Sequence, residues 1–248
     1  MKRSEYGKLV RLAKRYLKEE KDLGETEIEV MPKQKKPAEK VPVQPVQKAA
    51  PRPAAGSPTL EEFRAQIEGC RKCPLGKTRL NFVFGVGNPK AELMFIGEGP
   101  GFDEDHKGEP FVGRAGQLLN KIIEAINFKR EDVYIANIVK CHPMIDPKDP
   151  EKHGNDRPPS PEEAAACLPY LQKQIEIIKP RLICALGSSA ARTLLATEEP
   201  IGKLRGKFVA YHGIRLMPTY HPAALLRNPA LKKDVWEDMK KLRDALKG

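Results

Sequence analysis

From residue 91 onward, short apolar runs alternate with longer stretches in which apolar positions recur every three or four residues. AELMFIG (91–97), DVYIAN (132–137) and RLICAL (181–186) are near-continuous and brief, as expected of strands covered on both faces. Between them, residues 115–126, 161–178 and 188–195 carry helical spacing. Residues 208–211 and 214–217 read as further short strands, and 231–246 as a closing helix. This alternation predicts an α/β fold, a three-layer α/β/α sandwich around a central, mostly parallel four-stranded sheet. Order is expected to begin at Ser57-Pro58-Thr59, where a capping residue, a proline and the acids Glu61 and Glu62 mark a helix start.

The segment before it has another character. Residues 1–22 place Leu9, Val10, Leu12, Ala13, Tyr16 and Leu17 among lysines and arginines, the pattern of a basic amphipathic helix or tail. Residues 23–57 form a Pro/Lys-rich stretch with no aromatic side chain, which cannot build a core and is expected to be a disordered linker. Residues 58–248 are then the one folded domain. The chain carries 44 basic and 33 acidic residues, a net charge of +11, and +6 of that excess lies before residue 58. A polyanionic partner fits this balance, as does a merely solubilising tail. No apolar run approaches the length of a membrane span, and the N-terminus lacks the apolar core of a secretory signal, so a cytoplasmic protein without membrane association is expected.

In parallel sheets ligands bind beyond the carboxyl ends of the strands. Three unusual loops fall there: GEGPGFDED (97–105), NIVKCHP (137–143) and PTYHPAALLRNP (218–229). Phe111 sits in a polar, glycine-rich loop where core packing is not expected. Asn137 ends a strand, where it either caps a turn or offers an amide to a ligand. Cys70 and Cys73 form a CxxC, with Cys141 and Cys167 downstream. Four such thiolates suit zinc or an iron–sulfur cluster, and the same pattern also fits a redox CxxC with two unrelated thiols. Cys184, inside an apolar strand, behaves as a small hydrophobe.

Taken together, CRKCPLGKTRLNFVFGVGNPKAELMFIGEGPG, GEPFVGRAGQLLNKII, VYIANIVKCHP, PEEAAACLPYLQKQIEIIKPRLICALG and PTYHPAALLRNP resemble the family-4, iron–sulfur uracil-DNA glycosylases over about residues 58–246. The resemblance implies a monofunctional DNA repair glycosylase that hydrolyses the N-glycosidic bond of a flipped deoxyuridine and leaves an abasic site. It implies a 4Fe-4S cluster on Cys70, Cys73, Cys141 and Cys167, with zinc as the runner-up. Gly97, Gly99, Phe111, Asn137 and His221 would form the uracil pocket. His221 would steady charge at uracil O2, with Glu98, or failing that Glu104, at the attacking water. Ser188, Ser189, Leu225, Leu226 and Arg227 would meet the DNA, one of the leucines acting as a wedge. The expected partner is uracil-containing DNA, double- or single-stranded, bound by a monomer, with the tail contacting DNA or a repair protein. Two other readings are a catalytically silent relative that binds uracil-containing or single-stranded DNA, and a zinc-stabilised nucleotide-binding protein. Residues 144–156 form a longer and more charged link than the resemblance leads one to expect.

Overall fold

The structure, a computed structural model, describes residues 58–247. The tail (1–22) and linker (23–57) of the sequence reading lie outside the described residues. In chain order the elements are α1 (Leu60–Ile67), α2 (Leu75–Thr78), β1 (Val86–Gly87), β2 (Leu93–Gly97), α3 (Phe102–Lys107), α4 (Arg114–Ala125), β3 (Tyr134–Asn137) and α5 (Pro161–Ile178). There follow β4 (Leu182–Leu186), α6 (Ser188–Leu195), α7 (Ile201–Leu204), β5 (Val209–Tyr211), β6 (Ile214–Thr219), α8 (Pro222–Arg227), a 3₁₀ turn (Pro229–Leu231) and α9 (Lys232–Lys247).

The sheet has six strands in the order β1-β3-β2-β4-β6-β5. Its centre is the expected set of four parallel strands, β3, β2, β4 and β6. The edges β1 and β5 run antiparallel, which makes six strands rather than four. Two-residue β1 is too short to leave a periodic signal, and β5 joins β6 as a hairpin across His212 and Gly213, both at positive φ.

Alternation along the strands divides the core in two. Met94, Ile96, Tyr134, Ala136, Ile183, Ala185 and Leu216 face α1, α5 and α6. Leu93, Phe95, Ile135, Leu182, Cys184, Leu186 and Met217 face α4 and α9. The three-layer sandwich follows, because a strand buried on both faces needs a helix layer on each. Helix α9 closes one layer with Val235, Met239, Leu242 and Leu246 at helical spacing, and each such burial contributes about 1.5–3 kcal/mol. Among the described residues no helix is long and apolar enough to cross a membrane.

Helix starts coincide with sequence signals. Thr59 caps α1 and Ser160 caps α5, each in a capping box with a glutamate three residues on. Asn228, which follows α8, accepts from Ala230 N–H and turns the chain into α9.

Candidate active site

The carboxyl ends of β2, β3, β4 and β6 open onto one cleft of about 800 Å³. The parallel register sets Gly97 beside Asn137. A Cβ on Gly97 would lie 2.5 Å from Asn137 Oδ1 and 2.5 Å from Phe111 Cζ, so only glycine lets the amide and the ring meet over this strand end. Gly116, in the first turn of α4, is equally constrained, since a Cβ there would come within 1.9 Å of the Phe111 carbonyl oxygen.

Phe111 departs from its sequence expectation. Its backbone is left-handed (φ 54) and its side chain is only 6% exposed, packed into the α4/α9 core layer. It is a core residue and a cleft residue at once: one part of the ring packs inward while the rest lines the cleft, its centroid 5.5 Å from that of His221. Such a fixed ring offers a rigid wall to a planar ligand.

Asn137 is 2% exposed, yet its Oδ1 has no hydrogen-bond partner. Leaving a buried acceptor unpaired costs about 1–3 kcal/mol, and a polar ligand edge would relieve that cost. The backbone of Asn137 is held from beneath. Buried Lys140 Nζ donates to its carbonyl at 2.9 Å and to Gln174 Oε1 at 2.6 Å.

His221 caps α8, its Nδ1 accepting from Ala223 N–H at 3.1 Å. That acceptor role leaves the proton of the neutral ring on Nε2. Burial, with Arg227 adding to it, lowers the imidazole pKa to about 4. At neutral pH the ring is thus an uncharged Nε2–H donor.

The acids of the first loop divide sharply. Glu98 lines the cleft and bonds to Ser189. Burial pushes its carboxyl above the ordinary range, and the Ser189 bond opposes that shift. Glu104 is already occupied. Its Oε1 accepts from Val112 N–H (2.9 Å) and Gly113 N–H (3.0 Å), and Oε2 from Gly101 N–H (3.1 Å). With three amide donors on it, this carboxylate is a clamp between the Gly101 turn and the Phe111 loop. These bonds set it apart from Glu98, although both acids line the cleft.

Gly97 forms the strand end, and Gly99 lines the cleft beside Pro143. Ser188 and Ser189 open α6 on the cleft wall. The two leucines differ: Leu225 is 2% exposed and packs in the core layer of α4 and α9, while Leu226 is 41% exposed. Arg227 is exposed and lines the cleft.

Residues 144–156 form a built loop. A bridge pairs Met144 with Asp156 at its neck, and buried Asn155 bonds to Asp146 and Asp149 inside it. His142 sits between Asp156 (2.7 Å) and Asp105 (3.5 Å). Burial alone would lower its pKa, but the two carboxylates hold it up at about 9. The loop brings His153 against Phe102, ring centroids 3.9 Å apart, with His106 on the same phenyl ring at 4.0 Å. Phe102, His153 and Arg114 line the cleft and were not singled out in the sequence. Phe102 opens a helix inside what reads there as a glycine-rich loop.

Burial pushes the Cys141 and Cys167 thiols up, and neighbouring cysteines add to it: Cys167 and Cys73 at Cys141, Cys73 and Cys70 at Cys167. Arg79 donates to Cys141 Sγ at 3.0 Å and Tyr170 O–H to Cys70 Sγ at 3.3 Å, donors suited to thiolates. Among the described residues no group of three or more His, Cys, Asp or Glu is drawn together as a single metal ion requires. The fifth cysteine, Cys184, is buried in β4 as expected.

The uracil DNA glycosylase superfamily profile matches residues 84–240. The type-4 uracil-DNA glycosylase of Saccharolobus solfataricus is 46% identical over 196 residues, covering 75% of this chain and 86% of that protein. That of Archaeoglobus fulgidus is 42% identical over 192 residues, 74% of this chain and 92% of its own length. That of Thermotoga maritima is 42% identical over 192 residues, 76% of this chain and 95% of its own.

Proposed function

The chain belongs to the uracil-DNA glycosylase superfamily, alongside its type-4 members, and on that premise we propose that it is a DNA repair glycosylase that removes uracil from DNA. The observation that carries the reading is the unpartnered Asn137 amide oxygen facing the Phe111 ring across Gly97. A flipped uracil stacks on Phe111 while Asn137 accepts from N3–H and donates to O4. Cytosine reverses that pattern, with an acceptor at N3 and a donor at the 4-amino group, so it leaves the amide mismatched.

Cleavage breaks the bond between uracil N1 and deoxyribose C1′, the electron pair passing into the ring and onto O2. The neutral His221 donates its Nε2–H to that oxygen as charge gathers. Such a donor contributes most where water is excluded. Glu98, fixed by Ser189, accepts a hydrogen bond from the water whose oxygen bonds to C1′, and the water's proton departs on that side. Water adds across the broken bond, giving free uracil and an abasic sugar with the strand intact. Ser188 and Arg227 line the cleft, and exposed Leu226 adjoins Arg227 on α8, where the flanking strand would run. They suit phosphate contact and, for Leu226, filling of the space the base has left.

Cys70, Cys73, Cys141 and Cys167 are the residues that would hold a 4Fe-4S cluster, zinc being the alternative. Four soft donors with Arg79 and Tyr170 aimed at their sulfurs fit thiolate ligation. When bound, the cluster supplies a cross-link between the 70–73 segment, the loop after β3 and α5. The protein acts as a monomer in the cytoplasm, and the basic tail adds contacts to DNA or to a repair partner.

The test is incubation of the full chain with an end-labelled duplex carrying one uracil, followed by alkali. Cleavage at the uracil position alone is expected. An uncut strand, with a known uracil glycosylase cutting in parallel, overturns the reading in favour of a silent binder.

A further inference from the structure

The cleft lining runs as far as Arg227 in α8. Helix α8 runs through Asn228 and the 3₁₀ turn directly into α9, and the three pack consecutively. Along the exposed face of α9, Lys232, Trp236 and Lys240 recur at four-residue spacing, with Lys233 beside them. Trp236, the chain's single tryptophan, is 41% exposed. A large aromatic ring on open surface beside several lysines has no role in the core, which α9 serves with its opposite face.

Charge on this face is unbalanced. It carries two acids, each already paired. Asp244 bonds to Arg243 at 3.0 Å, and the Glu237 carboxyl is held below the ordinary range first by Lys240, whose Nζ lies 2.9 Å away, with Lys233 and Lys241 adding to the effect. Asp234 and Asp238 are turned the other way, toward Arg205. Lys241 donates to the Gly206 carbonyl. Lys232 and Lys233 remain exposed and point their charge at solvent beside the ring.

We propose that this face is a second DNA contact, a Lys232/Lys233/Trp236 platform that holds the duplex several base pairs from the flipped nucleotide. Two features commit the surface to DNA. Its positive charge suits phosphates, with an aromatic ring for sugar and base edges. It also follows the cleft-lining α8 directly in the chain, one 3₁₀ turn away. Chain geometry places Trp236 within about 25 Å of Arg227, a reach of about seven base pairs. The inference rests on the glycosylase reading, since a contact is called flanking only if DNA occupies the cleft.

The test uses the full chain and two probes: a duplex of about 25 base pairs with a central stable abasic-site analogue, and a uracil-containing strand of about seven nucleotides, too short to reach the platform. Trp236 emission is expected to change on saturation with the duplex and to stay constant with the short strand. The Lys232→Ala/Lys233→Ala variant should bind the duplex on the order of tenfold more weakly, with the slope of log Kd against log salt reduced by about 2. Its excision of uracil from the short strand should match that of the unaltered chain. An unchanged emission or an unchanged slope, with excision intact, overturns the platform and leaves the face to a protein partner. Failure of the unaltered chain to excise from either DNA would instead refute the glycosylase reading itself.

Discussion

Gly97→Ala puts the pocket geometry to a severe test. The new Cβ would stand 2.5 Å from Phe111 Cζ, 2.7 Å from Phe111 Cε2 and 2.5 Å from Asn137 Oδ1. Carbon atoms rest about 3.5–4.0 Å apart, so the ring must retreat by about 1 Å, and the amide must shift as well. Phe111 is packed in the core, and Asn137 is buried with its main chain held by Lys140. Overpacking of this kind costs about 1–3 kcal/mol of stability. For a domain this size that corresponds to a few degrees of melting temperature per kcal/mol, roughly 2–4 °C. Activity should suffer far more, because a misplacement of about 1 Å at groups that orient a substrate costs on the order of 100-fold. The assay is single-turnover uracil release well below the melting transition, with circular dichroism confirming that the variant is folded. A folded Gly97→Ala protein releasing uracil at the unaltered rate would refute the claim that Gly97 exists to let Phe111 and Asn137 converge.

Further outcomes follow from the other contacts. His221→Ala should lower the single-turnover rate by about 10²–10³, the loss typical of one donor to a developing oxyanion. The same substitution bears on stability. The folded pKa of about 4 lies below the ordinary 6.5, so the unfolded chain binds more protons between these values and stability falls as pH drops through that window. Melting curves from pH 7 to 4 should show a smaller acid-side decline in His221→Ala than in the unaltered chain. Glu104→Ala should destabilise the fold by about 1–3 kcal/mol, seen in denaturant unfolding, because three backbone N–H groups lose their acceptor at once. Replacing Cys141 with Ser should lower iron content, absorbance near 400 nm and thermal stability together; a brown, equally stable Cys141→Ser protein would remove Cys141 from the ligand set.

The parts of this molecule that were legible in its sequence are those written in periodicity and caps. Helix α5 runs over the residues its pattern indicated, because Ser160, Pro161 and Glu163 announce its start in a box. The ends of β2 and β3 were equally clear, since the apolar run stops at Gly97 and at Asn137. What stayed hidden depends on contacts across the fold. Phe111 looks like a loop residue because its neighbours are glycines and charges, and only the positive φ that turns it inward makes it part of the core. Leu225 and Leu226 are equivalent as letters, and the phase of a six-residue helix separates core from surface. Glu104 is indistinguishable from Glu98 until its three amide donors are seen, for they come from residues as far away as Gly113. The helix at Phe102–Lys107 was masked by the glycines and acids before and within it.

The central claim is that the pocket reads the pyrimidine edge through the Asn137 amide. Single-turnover excision from duplexes identical except for uracil or cytosine at one position, compared between the unaltered chain and Asn137→Asp, tests it most directly. The unaltered chain is predicted to release uracil and to leave cytosine by a factor on the order of 10⁴ or more, as for a site built to pair with a polar edge. Asn137→Asp is predicted to lose most of that ratio, because a carboxyl group no longer offers the donor that uracil O4 needs and can accept from the cytosine amine. An Asn137→Asp protein that keeps the full preference for uracil over cytosine would contradict the account.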